Sequence, residues 1–271
     1  DAVVVLTYPD SHAEISIAAM EKGKDVLCEK PLARTLEEAN QMVAVAKKTK
    51  RILKCGFNHR HHPAFLKAYQ VFQDGGLGNP LFGRARYGIA GRPGAEKEWR
   101  ADPKIIGGGQ LMDQGIHLID LFHWFLGDFA EITGMVNTNY WLVQPMEDNG
   151  FGLLKSKSGV IVSLHSTTTQ WINLFDFEIG MEHGALNVNG LGTSYGTQKL
   201  IITKRDDNGP FTYETFEFRG QDQSWKNEWQ AFTEAIVSRN QPIGNGQDGA
   251  SALKIVYDIY QAAKTGRTVH P

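Results

Sequence analysis

Short apolar runs alternate with helical patterns over the first quarter of the chain. DAVVVLT is a β-branched run of the kind found in strands buried on both faces, and Pro9, Asp10 and Ser11 turn the chain after it. Residues 11–22 then carry apolar side chains at Ile15, Ala18, Ala19 and Met20, until Gly23 stops the pattern. DVLCEK predicts a second buried strand and ILKCGFN a third. Between them TLEEANQMVAVAKKTK predicts a helix capped by Thr35, with Glu38 three residues later. Strand and helix alternating through short connections predict a parallel sheet with right-handed crossovers.

After PAFLKAYQVFQDGG, a helix closed by Gly75 and Gly76, the pattern changes. From residue 81 strands dominate: LFGRARYGIAG, EITGMVNTNYW, GFGLLKSKSGVIVSLHSTT, LFDFEIGMEHGALNVNG, KLIITKR and YETFEFR, with SKSG and DDNG as turn signals. Their alternation predicts a large, mainly antiparallel sheet with one face covered. Two helical patterns, NEWQAFTEAIVSR and ASALKIVYDIYQAAKTG, close the chain. The expected fold class is α/β plus α+β: a parallel α/β unit over residues 1–75, then an α+β unit over residues 76–271. The last helix is left open to pack back on the first unit.

With 271 residues, 41% of them hydrophobic, the chain can bury a core large enough for this plan. A net charge of -2 without a basic block leaves nothing to neutralise a phosphate backbone, so no nucleic-acid partner is expected. LFHWFL at 121–126 is too short to span a bilayer, so no membrane partner is expected either. Two cysteines, Cys28 and Cys55, make no disulfide framework, and a reducing, cytoplasmic location is the simpler reading. The chain opens without a methionine or signal-like segment and reads as beginning mid-domain; a signal segment upstream stays open.

Two motifs carry candidate chemistry. CEKPL places Glu29 and Lys30 at the carboxyl end of a predicted parallel strand, where ligands of open α/β sheets sit; a solvated surface pair is the plainer alternative. GGGQLMDQGIHLID, residues 107–120, sets three glycines ahead of a helical pattern. Residues four apart on an α-helix lie nearly above one another, about 6 Å of rise apart, which places Asp113, His117 and Asp120 on one stripe. A histidine beside a carboxylate is a candidate general base, and the glycines would expose amide groups to a ligand. Alternatively Asp113 complements the helix dipole and His117 is a satisfied core histidine.

Other features are weaker. Asp113, His117, Asp120, His123 and the HRHH tract at 59–62 suggest a metal, yet His123 falls nearly opposite His117 and no HExxH or CxxC spacing occurs, so no metal is expected. NHRHHP reads as a loop near the crevice of Lys30. GLGTSYG at 190–196 is read as a turn, because a strand follows where a phosphate loop needs a helix, and GxGxxG is absent from the chain. Trp99, Arg100, Trp141, His165, Gln170 and Trp171 offer aromatic platforms and donors for a sugar, or simply packing.

CEKPL followed by GGGQLMDQGIHLID, together with TYPDSHAE, GFNHR, EWR and WKNEWQAFTEAI, resembles the Gfo/Idh/MocA oxidoreductase family over nearly the whole chain. The resemblance implies the second half of a Rossmann-like dinucleotide-binding domain, with the glycine-rich turn supplied by sequence upstream of this chain. It also implies a C-terminal sheet that meets substrate and forms a homo-dimer or homo-tetramer. By the same resemblance Thr7, Pro9, His12, Glu29, Lys30, Asn58, Trp99 and Arg100 line the cofactor, NAD or NADP. Lys30, Asp113 and His117 form the catalytic set, with Asp113 orienting the imidazole; from their residue types, not the resemblance, His165 and Trp171 are expected to join them around the substrate. Trp225 and His59 depart from the tyrosine and arginine of relatives. The implied activity is hydride transfer to or from a sugar, cyclitol or nucleotide-sugar. An NAD-dependent glycosidase and a non-catalytic sugar-binding relative are the alternatives.

Overall fold

The computed structural model describes residues 1–205 and 209–271. Three parallel strands, β1 (Ala2–Val5), β2 (Asp25–Glu29) and β3 (Leu53–Gly56), lie in that order, with α1 (Pro9–Glu21) and α2 (Leu36–Thr49) as the crossovers. At the start of α2 the Glu38 N–H donates to the Thr35 hydroxyl at 3.2 Å, and the Thr35 N–H donates to the Glu38 carboxylate at 3.1 Å, the predicted capping box. Strand β3 is buried throughout and β2 nearly so, as expected of parallel strands. The surprise is Lys54 on β3, fully buried, which donates to the Ile243 carbonyl at 2.8 Å and pairs with Glu228 at 3.2 Å.

The second sheet has eight strands: β4 (Pro80–Ala90), β5 (Phe129–Asn137), β6 (Asn149–Ser156), β7 (Ile161–Thr167), β8 (Thr169–Met181), β9 (Gly184–Asn189), β10 (Gln198–Lys204) and β11 (Thr212–Phe218). Their order is β11-β10-β9-β8-β4-β7-β6-β5. Neighbours are antiparallel except the internal pair β4 and β7. That pair is parallel because the chain leaves β4 through α4 (Pro103–Ile106) and α5 (Ile116–Leu126), enters at the far edge as β5, and fills inward through β6 to β7. The SKSG signal turns β6 into β7, with Gly159 at a φ of +96. The DDNG signal falls largely on residues 206–208, outside the described residues, and GLGTSYG contains a short helical turn at Thr193–Tyr195 before β10.

Helix α3 (Pro63–Gln73) lies on the second sheet, where Phe65 meets Phe175 and Phe177 edge-on at 5.8 and 5.3 Å. Helix α6 (Ser224–Ser238) supplies Glu228 to the buried Lys54. Helix α7 (Gly246–Thr265) packs against both units: Tyr257 donates to the Arg34 carbonyl at 2.7 Å, and a Cβ on Gly249 would touch Leu32 and Cys55 at 3.0 Å. Helix α7 thus touches Arg34, Leu32 and Cys55. One buried cluster, from Val5 and Cys28 to Leu164 and Val188, runs through both sheets, which fixes the cleft between them. Among the described residues no helix is long and apolar enough to cross a membrane.

Candidate active site

The glycines ahead of α5 serve the chain's own packing. The Gly109 and Leu111 N–H groups donate to the Glu147 carboxylate at 3.0 and 2.8 Å, and the Tyr260 hydroxyl donates to it at 2.8 Å. A Cβ on Gly109 would come within 2.4 Å of the Glu147 carbonyl, and one on Gly107, at a φ of +82, within 2.5 Å of the Arg34 carbonyl. The Gly109 amide, expected to face a ligand, is thus taken by a buried carboxylate that anchors the start of the turn, and the Gly107 amide donates to the Pro103 carbonyl. Leu111–Gly115 then form a π-helical turn before α5, where the sequence pattern predicts continuous α-helix. The wider turn breaks the expected stripe. Asp120 does not line the cleft's cavity and takes Arg60 in two bonds of 2.6 and 2.8 Å, both groups buried.

Asp113 sits in the π turn and gathers the cations of the cleft. Lys30, from the end of β2, donates to its carboxylate at 2.8 Å and to its carbonyl, and Arg100 donates at 3.2 Å. Burial opposes the charge on Asp113, but Lys30 and Arg100 outweigh it and hold the carboxyl below its ordinary range. The carboxylate is therefore committed to Lys30 and Arg100, and no hydrogen bond joins it to the imidazole it was expected to orient.

His117 is oriented by rings instead. It stacks on His59 at 3.8 Å and 20°, and Phe57 meets it edge-on at 6.1 Å. His59 is held by a 3.0 Å bond between its Nδ1 and the Asn58 side-chain oxygen, and Asn58 donates to Ser224 at 3.0 Å. Burial first and the Lys30 charge second push the His117 pKa well below that of a free imidazole, against the pull of Asp113. The ring is neutral at pH 7, its Nδ1 is buried without a partner, and the Lys30 ammonium is close enough to weigh on it. NHRHHP is accordingly a buried 3-10 turn over Asn58–His61 and not an open loop.

A cavity of about 360 Å³ opens against Lys30 and Asp113, with Gln110, Gln114, Arg100 and Trp141 among its other lining residues; His117 lies outside that lining. Asp148 fixes the loop that brings Trp141 to the cavity wall. The N–H groups of Trp141, Asn139 and Tyr140 converge on that carboxylate at 2.8 to 3.0 Å and hold its pKa low although burial acts to raise it. The Trp141 ring can lie there because residue 91 is glycine; a Cβ would come within 2.3 Å of the indole nitrogen.

The residues expected to line a cofactor fall around the carboxyl ends of the parallel strands. Thr7 follows β1 and Pro9 opens α1; Glu29 ends β2, where its carboxylate accepts the Lys30 N–H at 3.2 Å. Trp99 packs on Tyr8 at 5.0 Å and carries Arg100 over its face at 4.1 Å. His12 is buried, its ring nitrogens 2.9 and 3.0 Å from the Pro31 and Thr7 carbonyls, so it ties two crevice loops together. Two expected substrate residues stand apart. His165 stacks on Phe151 at 4.0 Å on the outer sheet face, and Trp171 is 60% exposed, reaching the cavity only through Trp141 at 6.4 Å. Trp225 is exposed on the first turn of α6. Gln110, Gln114, Glu147 and Asp148 escaped notice in the sequence; the polar residues inside GGGQLMDQG and the acidic pair after PM were the available signals. No group of three or more His, Cys, Asp or Glu side chains is placed to hold a metal ion among the described residues.

Comparison with known proteins bears on the fold and the family. Residues 1–57 match the family model described as an oxidoreductase family with an NAD-binding Rossmann fold, and residues 65–187 match the model of the GFO/IDH/MocA C-terminal domain. The chain is 30% identical to 1,5-anhydro-D-fructose reductase of Ensifer adhaerens over 98% of its own length and 78% of that protein. It is 34% identical to levoglucosan dehydrogenase of Pseudarthrobacter phenanthrenivorans, over 99% of this chain and 73% of that one. A solved levoglucosan dehydrogenase, in complex with NADH and levoglucosan, superposes with a TM-score of 0.91 at 25% identity, covering 99% of this chain and 79% of that chain.

Proposed function

The chain belongs to the Gfo/Idh/MocA oxidoreductase family, and from that premise we propose that it transfers a hydride between a nicotinamide dinucleotide and a secondary hydroxyl or ketone of a sugar or cyclitol. One observation carries the proposal: Lys30 locked to Asp113 at the wall of a cavity, with a neutral, buried His117 close enough for the ammonium to weigh on it. The relatives named as reductase and dehydrogenase of sugar-derived substrates support it.

The crevice residues fit the cofactor. Exposed Leu6 and Tyr8, with Trp99 against Tyr8, offer a platform for a flat ring, while Thr7, Glu29 and Asn58 supply hydroxyl, carboxylate and amide groups suited to ribose and carboxamide. When bound, the nicotinamide supplies the acceptor or donor of hydride. Lys30, a compact charge with three donors, holds the reacting oxygen and stabilises its negative charge as the proton leaves. His117 takes that proton during oxidation and returns it during reduction. Asp113 keeps the ammonium aimed, and Arg100 shares the carboxylate so that it stays ionised. Phe57 and His59 exclude water from the inner face of the base.

The test is nicotinamide absorbance with full-length protein against a panel of neutral sugars and cyclitols. Turnover is expected with NAD or NADP, and Lys30→Ala and His117→Asn should each lower kcat about 10²- to 10⁴-fold. Unchanged turnover in both variants would remove these residues from the chemistry. We further propose that the outer face of the second sheet, where Met135, Phe151, Leu153 and Ile161 are exposed, joins copies of the chain. A monomeric mass by light scattering would exclude that association.

A further inference from the structure

Gln110 and Gln114 sit on either side of Asp113 on the π turn, and both line the cavity. Each carries a buried amide atom with no hydrogen-bond partner: Nε2 of Gln110, a donor, and Oε1 of Gln114, an acceptor. Buried polar groups are normally paired, because desolvation without compensation is costly. Two such atoms on one turn, flanking the carboxylate that holds Lys30, call for a partner that the protein itself does not supply.

The backbone beneath them is fixed. The Gln110 N–H donates to the Glu147 carbonyl at 3.1 Å, and its carbonyl accepts the Ser166 hydroxyl at 3.2 Å. A Cβ on Gly115 would meet Ser166 at 3.1 Å, so the turn lies flat on β7. The side chains are therefore presented from a rigid base, as a recognition element must be.

The charges of the cavity wall restrict the partner further. Its cations are committed: Lys30 and Arg100 to Asp113, and Arg92 to Glu98 at 2.8 Å. Glu147 is occupied by backbone N–H groups. Each lining cation already has a carboxylate partner, and a hydroxyl that both donates and accepts suits the two amides.

We propose that Gln110 and Gln114 determine specificity by reading two hydroxyls of an uncharged polyol, next to the carbon held by Lys30. This rests on the hydride-transfer reading for the identity of the reacting carbon, but the recognition itself does not require turnover. The amides favour a neutral sugar or cyclitol over a nucleotide-sugar.

The test is binding to the full-length protein by calorimetry, with turnover followed in parallel. The probes are myo-inositol, 1,5-anhydro-D-glucitol, D-glucose, the monodeoxy derivatives of D-glucose, and glucose 6-phosphate. For the best neutral probe, Gln110→Met and Gln114→Met should each weaken binding about tenfold. Each should be nearly without effect on the one deoxy derivative that lacks its hydroxyl. Thermal unfolding checks that both variants fold, and each should be at least as stable as the parent, since an unpaired amide has been removed. Equal losses on the parent sugar and every deoxy derivative, no loss at all, no neutral binder in the panel, or tighter binding of the phosphate would each overturn the inference. Binding that depends on the pair without any cofactor turnover would leave the pair standing and remove the hydride-transfer reading instead.

Discussion

The imidazoles of His59 and His117 lie face to face, with ring centroids 3.8 Å apart and planes 20° from parallel. Burial is the largest cause of the lowered proton affinity of each; for His59 the next is the charge His117 would carry, and for His117 it is Lys30. Two imidazolium ions cannot share that stack. The pair is neutral at pH 7 and has room for one proton, which is the state a base needs before oxidation.

The sign of the pH dependence follows. A free imidazole loses its basic form below about pH 6.5, but His117 keeps it well below that because its pKa is lowered. For oxidation, kcat/KM is therefore expected to show no loss from His117 as the pH falls from 8 through 6.5, and to fall only at lower pH. A pH-rate profile at constant ionic strength measures this. An acid limb centred near pH 7 would mean that another group is the base or that the ring is solvated.

Stability should also respond to pH, through His61. Burial and the Lys54 charge push its pKa to about 3. Between there and the ordinary value of 6.5 the unfolded chain binds a proton that the native protein refuses, so this group costs stability as the pH falls through that window. Glu228 acts oppositely: burial raises it to about 7, so between 4.5 and 7 the native protein holds a proton that the unfolded chain releases. Removing the histidine isolates its share. His61→Asn should lose less stability than the parent between pH 6 and pH 4, by up to about 1.4 kcal/mol per pH unit, as read from urea unfolding at each pH. Parallel curves for the two proteins would show that His61 titrates normally.

Much of the fold was legible because it depends on local pattern. Thr35 and Glu38 announced a capping box, and the apolar runs of β2 and β3 announced buried parallel strands. Lys30 at the end of β2 follows from the same logic. What stayed hidden is long-range. The parallel pairing of β4 with β7 depends on where the chain re-enters the sheet, and no local alternation encodes that. The π turn separates Asp113 from the α-helix that carries His117 and Asp120, so α-helical spacing was the wrong ruler over that turn. His165 alternates to the outer face of β7 because Leu164 and Ser166 point inward, a parity that is visible only once the strand's covered side is known. The glycines before α5 advertised a ligand, yet their neighbour is Glu147, thirty-eight residues after Gly109.

That neighbour makes the three glycines unequal. A Cβ on Gly109 would lie 2.4 Å from the Glu147 backbone carbonyl, which cannot yield without moving the anchor, whereas one on Gly108 meets first the Tyr260 hydroxyl at 2.5 Å, the end of a side chain. Gly109→Ala is expected to cost about 3 kcal/mol or more and Gly108→Ala closer to 1. Glu147→Gln should cost about 1–3 kcal/mol by turning an NH₂ toward a backbone N–H. Chemical denaturation of the three variants gives the order, and equal costs for the two glycines would argue against a rigid anchor.

Asp113 and Asp120 lie seven residues apart, both shielded, and the structure assigns them opposite duties. Asp120 is fully buried against Arg60, which also reaches Asp248 at 3.4 Å; burial raises its pKa to about 6, but the guanidinium pulls the other way. Asp120→Asn would leave Arg60 short of a counter-charge in the core, a loss of about 3–5 kcal/mol, while the cleft keeps its groups. Asp113 is partly open, with 14% of its side chain exposed; Lys30 keeps its bond to the Asp113 carbonyl, and Arg100 is half exposed. Asp113→Asn should therefore cost only about 1 kcal/mol of stability but lower kcat 10²-fold or more, at about the level of removing one preorganised polar group, because the ammonium is no longer aimed. Measuring melting temperature and kcat on both variants separates the two duties. If Asp120→Asn proved the more harmful to turnover at a temperature where it remains folded, the carboxylate that serves the chemistry would have been misassigned.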